Sequence, residues 1–298
     1  MDDVRRRNRQ GAKRPWGWPF DLRSSLVVAA LMLLSIGLGA GVTAASYQAQ
    51  DDARRTRLVA DLERLAELAR QRLTSARARL DVTERDVALG TASPLERLPR
   101  RVDVAEAQGQ VAVIELQLEE VRLTAREPLD DLSAPLVGGR DFVSERLRSE
   151  MGVPVAVLEI ERLRIRDAEQ RRALGVADAL EVEVAAAKVA ELAAAVEGLR
   201  RKLEIRGRFV AGRADGAETE LRALEATALT RQQSLTSRVM LARQQVERMT
   251  AKVKVGTGTR VDLAEAAYRL QGLETDMAKA DLDVELVRSQ LQQLKQKR

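Results

Sequence analysis

Three times along this chain a glycine that can stop a helix is followed within a few residues by a side chain that can start the next one. The three glycines, Gly90, Gly175 and Gly256, lie 85 and 81 residues apart. In KVKVGTGTRVDLAEAA, residues 252–267, an amphipathic run ends at Val255, and Gly256 can adopt the left-handed conformation that a Cβ resists. Thr259 then opens the next helix with a hydroxyl acceptor. Asp262, three residues on, is placed for the reciprocal capping-box contact and for the positive end of the helix dipole. The same grammar runs through LGVADALE, where Gly175 precedes Asp178 and Glu181. It recurs in LGTASPLE, where Gly90 precedes Ser93 and Glu96 and Pro94 takes the favoured first helical position. The spacing suits two helices of roughly 30 to 40 residues per unit. One such tip is ordinary for any helical hairpin, but three at a nearly constant period predict an all-α repeat of three long antiparallel hairpins.

These tip residues resemble those of the TolC-like outer-membrane efflux proteins, whose helical hairpins carry a glycine, a small polar residue, an acidic residue and an alanine in this order. Gly256, Thr259, Asp262, Leu263 and Ala266 fit throughout, and Gly175, Asp178, Glu181, Val182 and Ala185 fit well. The first copy fits as far as Glu96 and then meets Pro99, although RVDVAEA at 101–107 nearly repeats RVDLAEA at 260–266. An inserted heptad would explain the offset and leaves the start of that helix open by about two turns. The resemblance implies coiled-coil hairpins that pack side by side and use their tips as contacts. It does not extend to a pore, because no alternating amphipathic strands with aromatic girdles occur. The β-modules of inner-membrane adaptors are missing from the pattern too. Nor is the Tyr and Arg latch of the family's tip matched, since Val253 and Gly258 stand at those offsets.

Composition agrees with long helices. Aromatic residues make up 2% and charged residues 32% of the 298, the usage of coiled coils rather than of a thick core. The chain has no Cys and no His, which removes disulfides, thiolate and imidazole chemistry and the usual zinc and haem ligands. The formal charge is +5. Residues 1–23 contribute seven basic against three acidic groups, so the remainder is nearly neutral and presents no nucleic-acid surface.

That basic stretch ends in Trp16, Trp18 and Phe20 and precedes an apolar run at 26–45. The run is long enough to span a hydrocarbon layer of about 30 Å. Its basic flank predicts a cytoplasmic N-terminus and a periplasmic remainder in the bacterial inner membrane. The alternative is a cleaved leader with a small-residue site at Val42, Thr43 and Ala44; the length of the run favours an uncleaved anchor.

The expected organisation is a cytoplasmic tail at 1–23, a transmembrane helix at 24–46, and hairpins at 51–126, 142–206 and 217–298, separated by linkers at 127–141 and 207–216. In the first helix Leu58, Leu62, Leu65, Ala69, Leu73, Ala76 and Leu80 mark a coiled-coil seam. At about 1.5 Å per residue that helix carries the Gly90 tip on the order of 60 Å from its start. Two Pro and two Gly mark the first linker, with Leu136 and Val137 expected to pack locally. The helix from Phe142 is expected to be interrupted near Gly152 and Pro154. Gly207, Gly212 and Gly216 mark the second linker, with Phe209 as a hydrophobic plug. In the third hairpin Leu235, Val239, Ala242, Val246, Met249 and Val253 face a 3.5-residue repeat running from Leu263 to Leu294.

Carboxylates fall among Arg and Lys on heptad helices, which reads as solvated ion pairs rather than catalysis. The glycines near Gly256 lack the strand and lysine of a phosphate loop. The chain therefore reads as a non-enzyme without a cofactor, whose partners are a membrane, other proteins met through the hairpins, and copies of itself. A structural or adaptor role in the cell envelope, linked to efflux or secretion, is the first expectation. A membrane-bound signalling regulator with a periplasmic coiled-coil sensor is the second, weakened by the shortness of the tail. Neighbouring pump and channel genes would favour the first, sigma-factor or sensor genes the second. The residues expected to form the tips are Gly90, Ser93, Glu96, Gly175, Asp178, Glu181, Gly256, Thr259 and Asp262, with Val255 and Val261 as the contact surface.

Overall fold

The computed structural model describes residues 44–297 apart from Ala177. The tail and most of the apolar run at 26–45 lie outside the described residues, and no described helix is long and apolar enough to cross a membrane. The described residues are all-α. The six helices are α1 (Ala44–Ala88), α2 (Arg97–Thr124), α3 (Phe142–Ala173), α4 (Ala179–Val210), α5 (Gly216–Lys254) and α6 (Arg260–Gln296). From Gln48 onward they form one compact unit.

Each helix runs antiparallel to the next. Among the described residues, α2 to α6 pack only against their neighbours in sequence, so these five helices form a row rather than a bundle around a shared centre. Alternation places the Gly90, Gly175 and Gly256 turns at one end, the tip end, and the α2–α3 and α4–α5 connections at the other, the base.

The α1–α2 seam shows how the row is held. Leu62 packs with Leu118 and Val121, Ala66 and Ala69 with Ile114, and Leu73 and Ala76 with Ala107. Buried alanines bring the helices close but remove little apolar surface, whereas each buried Leu or Val contributes about 1.5–3 kcal/mol. Ala66, not Leu65, occupies the seam: positions 62, 66, 69, 73 and 76 alternate steps of four and three, which leaves Leu65 about half exposed. In α5 and α6, Leu235, Val239 and Ala242 and Ala280, Val284, Val287 and Leu291 are buried at the expected heptad positions.

Glycine supplies two further close approaches. A Cβ at Gly109 would lie 2.9 Å from Val153 across the α2–α3 contact, and one at Gly198 would overlap the Thr230 side chain across α4–α5.

Several boundaries differ from expectation. The second helix begins at Arg97 with Pro99 in its first turn, where backbone N–H groups have no intrahelical acceptor and a proline forfeits nothing. The expected interruption near Gly152 and Pro154 does not occur. Although Pro154 removes one donor inside α3, Val157, Leu158 and Ile160 beyond it are buried, and this packing outweighs a cost of about 3 kcal/mol. Gly207 likewise stays within α4, Gly216 opens α5 after its cap Asp215, and only the five residues between Val210 and Gly216 break the helix.

Candidate interaction site at the hairpin tips

The three tips are built from the same hydrogen bonds. At Gly90, Gly175 and Gly256 φ is +73°, +73° and +75°. In each case the glycine N–H donates three residues back, to Val87, Arg172 and Val253, at 3.1, 2.9 and 3.2 Å. The N–H of the following residue donates five back, to Asp86, Arg171 and Lys252, at 2.9, 2.8 and 2.9 Å. This double return satisfies the last carbonyls of the incoming helix and requires the left-handed glycine between them.

The caps that follow differ in detail. The Thr259 hydroxyl accepts from the Asp262 N–H at 3.0 Å and donates to the Asp262 carboxylate at 2.7 Å. The Asp side chain is short and binds the hydroxyl, where a longer Glu would reach the Thr259 backbone. At the first tip Ser93 N–H donates to Glu96 Oε1 at 3.1 Å and Ser93 Oγ accepts from Leu95 N–H at 3.3 Å, but these bonds close a turn that includes Pro94 and precedes α2, whose own N-cap, Glu96, makes no side-chain cap bond. Asp178 caps α4 through Leu180 N–H at 3.4 Å, and Glu181 turns away to pair with Arg171 across the hairpin.

What the tips present to solvent is more uniform than their caps. The residue before each glycine is a large aliphatic: Leu89 is 76% exposed, Leu174 77% and Val255 73%. Val176 at the second tip and Val261 at the third are equally open, at 73% and 74%. Around the third tip Lys252, Lys254 and Arg260 are exposed and enter no ion pair among the described residues. The sequence reading singled out only the third tip's valines, Val255 and Val261. Leu89 and Leu174 were missed, yet their signal was present in the position preceding the glycine, and Val176, also missed, directly follows Gly175.

At the base the α4–α5 turn keeps the tip pattern, with Gly212 at φ +68°, its N–H donating to Phe209 and that of Arg213 to Arg208, both at 2.9 Å, whereas the α2–α3 connection is built in the reverse way. The connection at 125–141 lies as a strap across the ends of four helices. Its Leu132 and Ala134 are buried with Val143 and Leu147 against Leu199, Leu203 and Ile205. Leu136, expected to pack, is 43% exposed, because the strap turns outward where Val137 and Arg140 exchange backbone hydrogen bonds at 3.0 and 2.9 Å.

Arg206 of α4 is fully buried beneath the strap. Its Nη1 donates to the carbonyls of Leu132, at 2.9 Å, and Ala134, and its Nε donates to Asp141 Oδ1 at 3.0 Å. Phe209 is a half-buried platform for this guanidinium, 5.4 Å from its ring centre, rather than a plug. Burial pushes the Asp141 carboxyl up, but hydrogen bonds from Arg206 and Ser144 outweigh it and hold the group below the usual carboxylate range. Arg146 of α3 pairs with the buried Glu120 of α2 and donates to the Leu129 carbonyl, and Glu120 in turn accepts the Leu129 N–H at 3.2 Å. Ser133 N–H donates to Glu220 of α5 at 3.0 Å.

Beside the strap a cleft of about 330 Å³ is lined by Asp130, Leu132, Val143, Arg146, Glu150 and Lys202, among others. Partial desolvation, and then the Asp130 charge, raise the Glu150 pKa. Among the described residues no three acidic side chains converge as a metal ion would require. No family model, no curated protein and no solved structure matches this chain.

Proposed function

We propose that this chain is an inner-membrane-anchored periplasmic helical-hairpin protein, with a structural or adaptor role in the cell envelope associated with efflux or secretion. In this reading residues 26–45 are the anchor, residues 1–23 remain in the cytoplasm, and the hairpin tips meet a protein partner. One observation carries it: at all three tips the side chain preceding the left-handed glycine is a large aliphatic about three-quarters exposed. A turn needed only to reverse the chain would have no use for such a residue, whereas a contact surface gains from burying it. The likeness of Gly256, Thr259, Asp262, Leu263 and Ala266 to TolC-like tips supports the association with efflux or secretion. The unpaired Lys252, Lys254 and Arg260 favour a partner with an acidic rim.

The test is a pull-down from membranes with the full chain, comparing wild type with the Val255→Ser, Val261→Ser double variant. The proposal expects the partner to be lost while the melting temperature stays unchanged. A large fall in melting temperature would assign the valines to the core, and retained capture would remove the tip as a contact. Topology is checked separately: a reporter after Arg298 should be active outside the cytoplasm and one before Leu26 inside.

A further inference from the structure

The Gly212 turn at the base repeats the backbone of the tips but not what they present. The residue before the left-handed glycine is Leu89, Leu174 or Val255 at the tips and Ala211 at the base, where Arg213 follows the glycine. Ala211 and Arg213 are both exposed. One turn geometry thus shows aliphatic side chains at the tip end and a guanidinium at the base end.

The rest of the base has the same bias once bonded charges are set aside. The connections at 125–141 and 211–215 and the last residues of α6, 293–297, hold five acidic and five basic residues. Four of the acids are engaged within the chain: Glu127 pairs with Arg54 at 2.6 Å, Asp130 with Arg146 at 3.2 Å and Asp141 with Arg206 at 2.9 Å, and Asp215 accepts the Glu218 N–H at 2.8 Å. Of the bases, Arg140 is held by Glu119 and Glu145. Arg126, Arg213, Lys295 and Lys297 are exposed and enter no ion pair among the described residues, and Asp131 is the one unpaired acid left beside them in these stretches. Leu123, Leu129, Leu136 and Val210, in and next to the same connections, are each more than two-fifths exposed.

Where the base falls along the chain decides what lies beside it. α1 reaches the base at Arg54 and Arg55: Arg54 meets Glu127, and Arg55 Nη2 donates to the Arg122 carbonyl at 2.7 Å. Ten residues earlier α1 begins at Ala44, where the apolar run of 26–45 ends. As helix, these ten residues span about 15 Å, and α1 carries the first tip about 50 Å further on. The base is the end tethered close to the apolar run.

We propose, on the reading of residues 26–45 as a membrane anchor, that the base docks on a lipid surface containing anionic phospholipid headgroups. The tether brings the ends of the long Arg and Lys side chains to within a Debye length, about 8–10 Å, of the phosphates. There the unpaired cations strengthen attachment, and the exposed leucines and valine enter the interfacial layer. An acidic protein would match the charges, but the lipid is what the chain already holds within reach.

The chain contains no cysteine, so a single one can carry a fluorophore to either end. Ala211→Cys and Val255→Cys are matched sites, each preceding a left-handed glycine. The labelled full chains are reconstituted into vesicles of phosphatidylcholine, or of equal parts phosphatidylcholine and phosphatidylglycerol, both carrying a headgroup-linked quencher. The label at 211 should be quenched at least about threefold more in the anionic vesicles. This excess should vanish in about 1 M salt, where the Debye length falls to about 3 Å. Arg126→Glu, Arg213→Glu, Lys295→Glu and Lys297→Glu together should also remove it; these side chains are exposed, so circular dichroism should report unchanged folding. The label at 255 should be quenched weakly and equally in both vesicles. Equal quenching at 211 in the two vesicles, an excess that survives salt or survives charge reversal in folded protein, or stronger quenching at 255 would overturn the proposal. Alkaline carbonate reads the anchor separately: release of the chain would remove the anchor, while excess quenching at 211 would then still support the docking surface and its absence would overturn it.

Discussion

The three tip turns and the α2–α3 strap at the base solve the problem of reversing a helix in opposite ways. At the tips the reversal is local: a left-handed glycine, two backbone hydrogen bonds and a cap lie within about a dozen residues, with aliphatic side chains left in water. At the base the reversal between α2 and α3 is a long strap held by side chains distant in sequence, with Arg206 and Arg146 buried and bonded to backbone carbonyls and carboxylates. A self-contained turn leaves its outer surface available for another molecule. A turn that depends on four helices spends its side chains on holding them together.

The sharpest way to break this contrast is at Arg206. Arg206→Met leaves the Asp141 carboxylate and two strap carbonyls without their donor under cover, and should destabilise the protein by about 3–5 kcal/mol in urea unfolding. A loss below about 1 kcal/mol would mean that the strap is not held this way. The acid side gives a second measure of the same lock. Because the Asp141 pKa is depressed on folding, its contribution is present above the unfolded value and is lost as pH falls through the lower folded value. Wild type should therefore lose stability below about pH 4, the ordinary aspartate range. Arg206→Met should show a smaller loss there.

At the tips the effects should be smaller and graded. Gly256→Val forces a β-branched residue to φ near +75° and should cost about 1–2 kcal/mol, measured by the same unfolding. Thr259→Ala removes the acceptor for Asp262 N–H and should cost about 1 kcal/mol. Val255→Ser with Val261→Ser should change stability by no more than about 0.5 kcal/mol. If this pair cost more than the Thr259 variant, the tip would be packed rather than presented, and the contrast with the base would fail.

The same contrast explains what could be read before the structure. The all-α class, the hairpin repeat and the three glycine turns rest on residues within a few positions of one another, where heptad spacing, left-handed glycine and capping act. Leu65 shows the margin of that reading: steps of three then four and four then three differ by one residue, and only packing against Ile114 selects Ala66. Gly152, Pro154 and Gly207 look like breakers, but tertiary burial overrides local preference there. The base was beyond reach because Arg206 to Leu132 and Ser133 to Glu220 span 74 and 87 residues, and no local pattern marks a buried arginine. Gly109 and Gly198 were overlooked because a mid-helix glycine reveals its purpose only when the facing helix is known.

The strap also sets the mechanics of the row. With side chains from α2, α3, α4 and α5 fastened to it, the base behaves as a hub, while toward the tips adjacent helices are joined mainly by seams of Ala, Val and Leu. A sideways load at the tips would fan these seams apart before it reached the hub. Deuterium uptake along α3 and α4 should therefore be slowest beside the strap and fastest near Gly175, so that the far end can yield to a partner's shape while the near end keeps the helices in order.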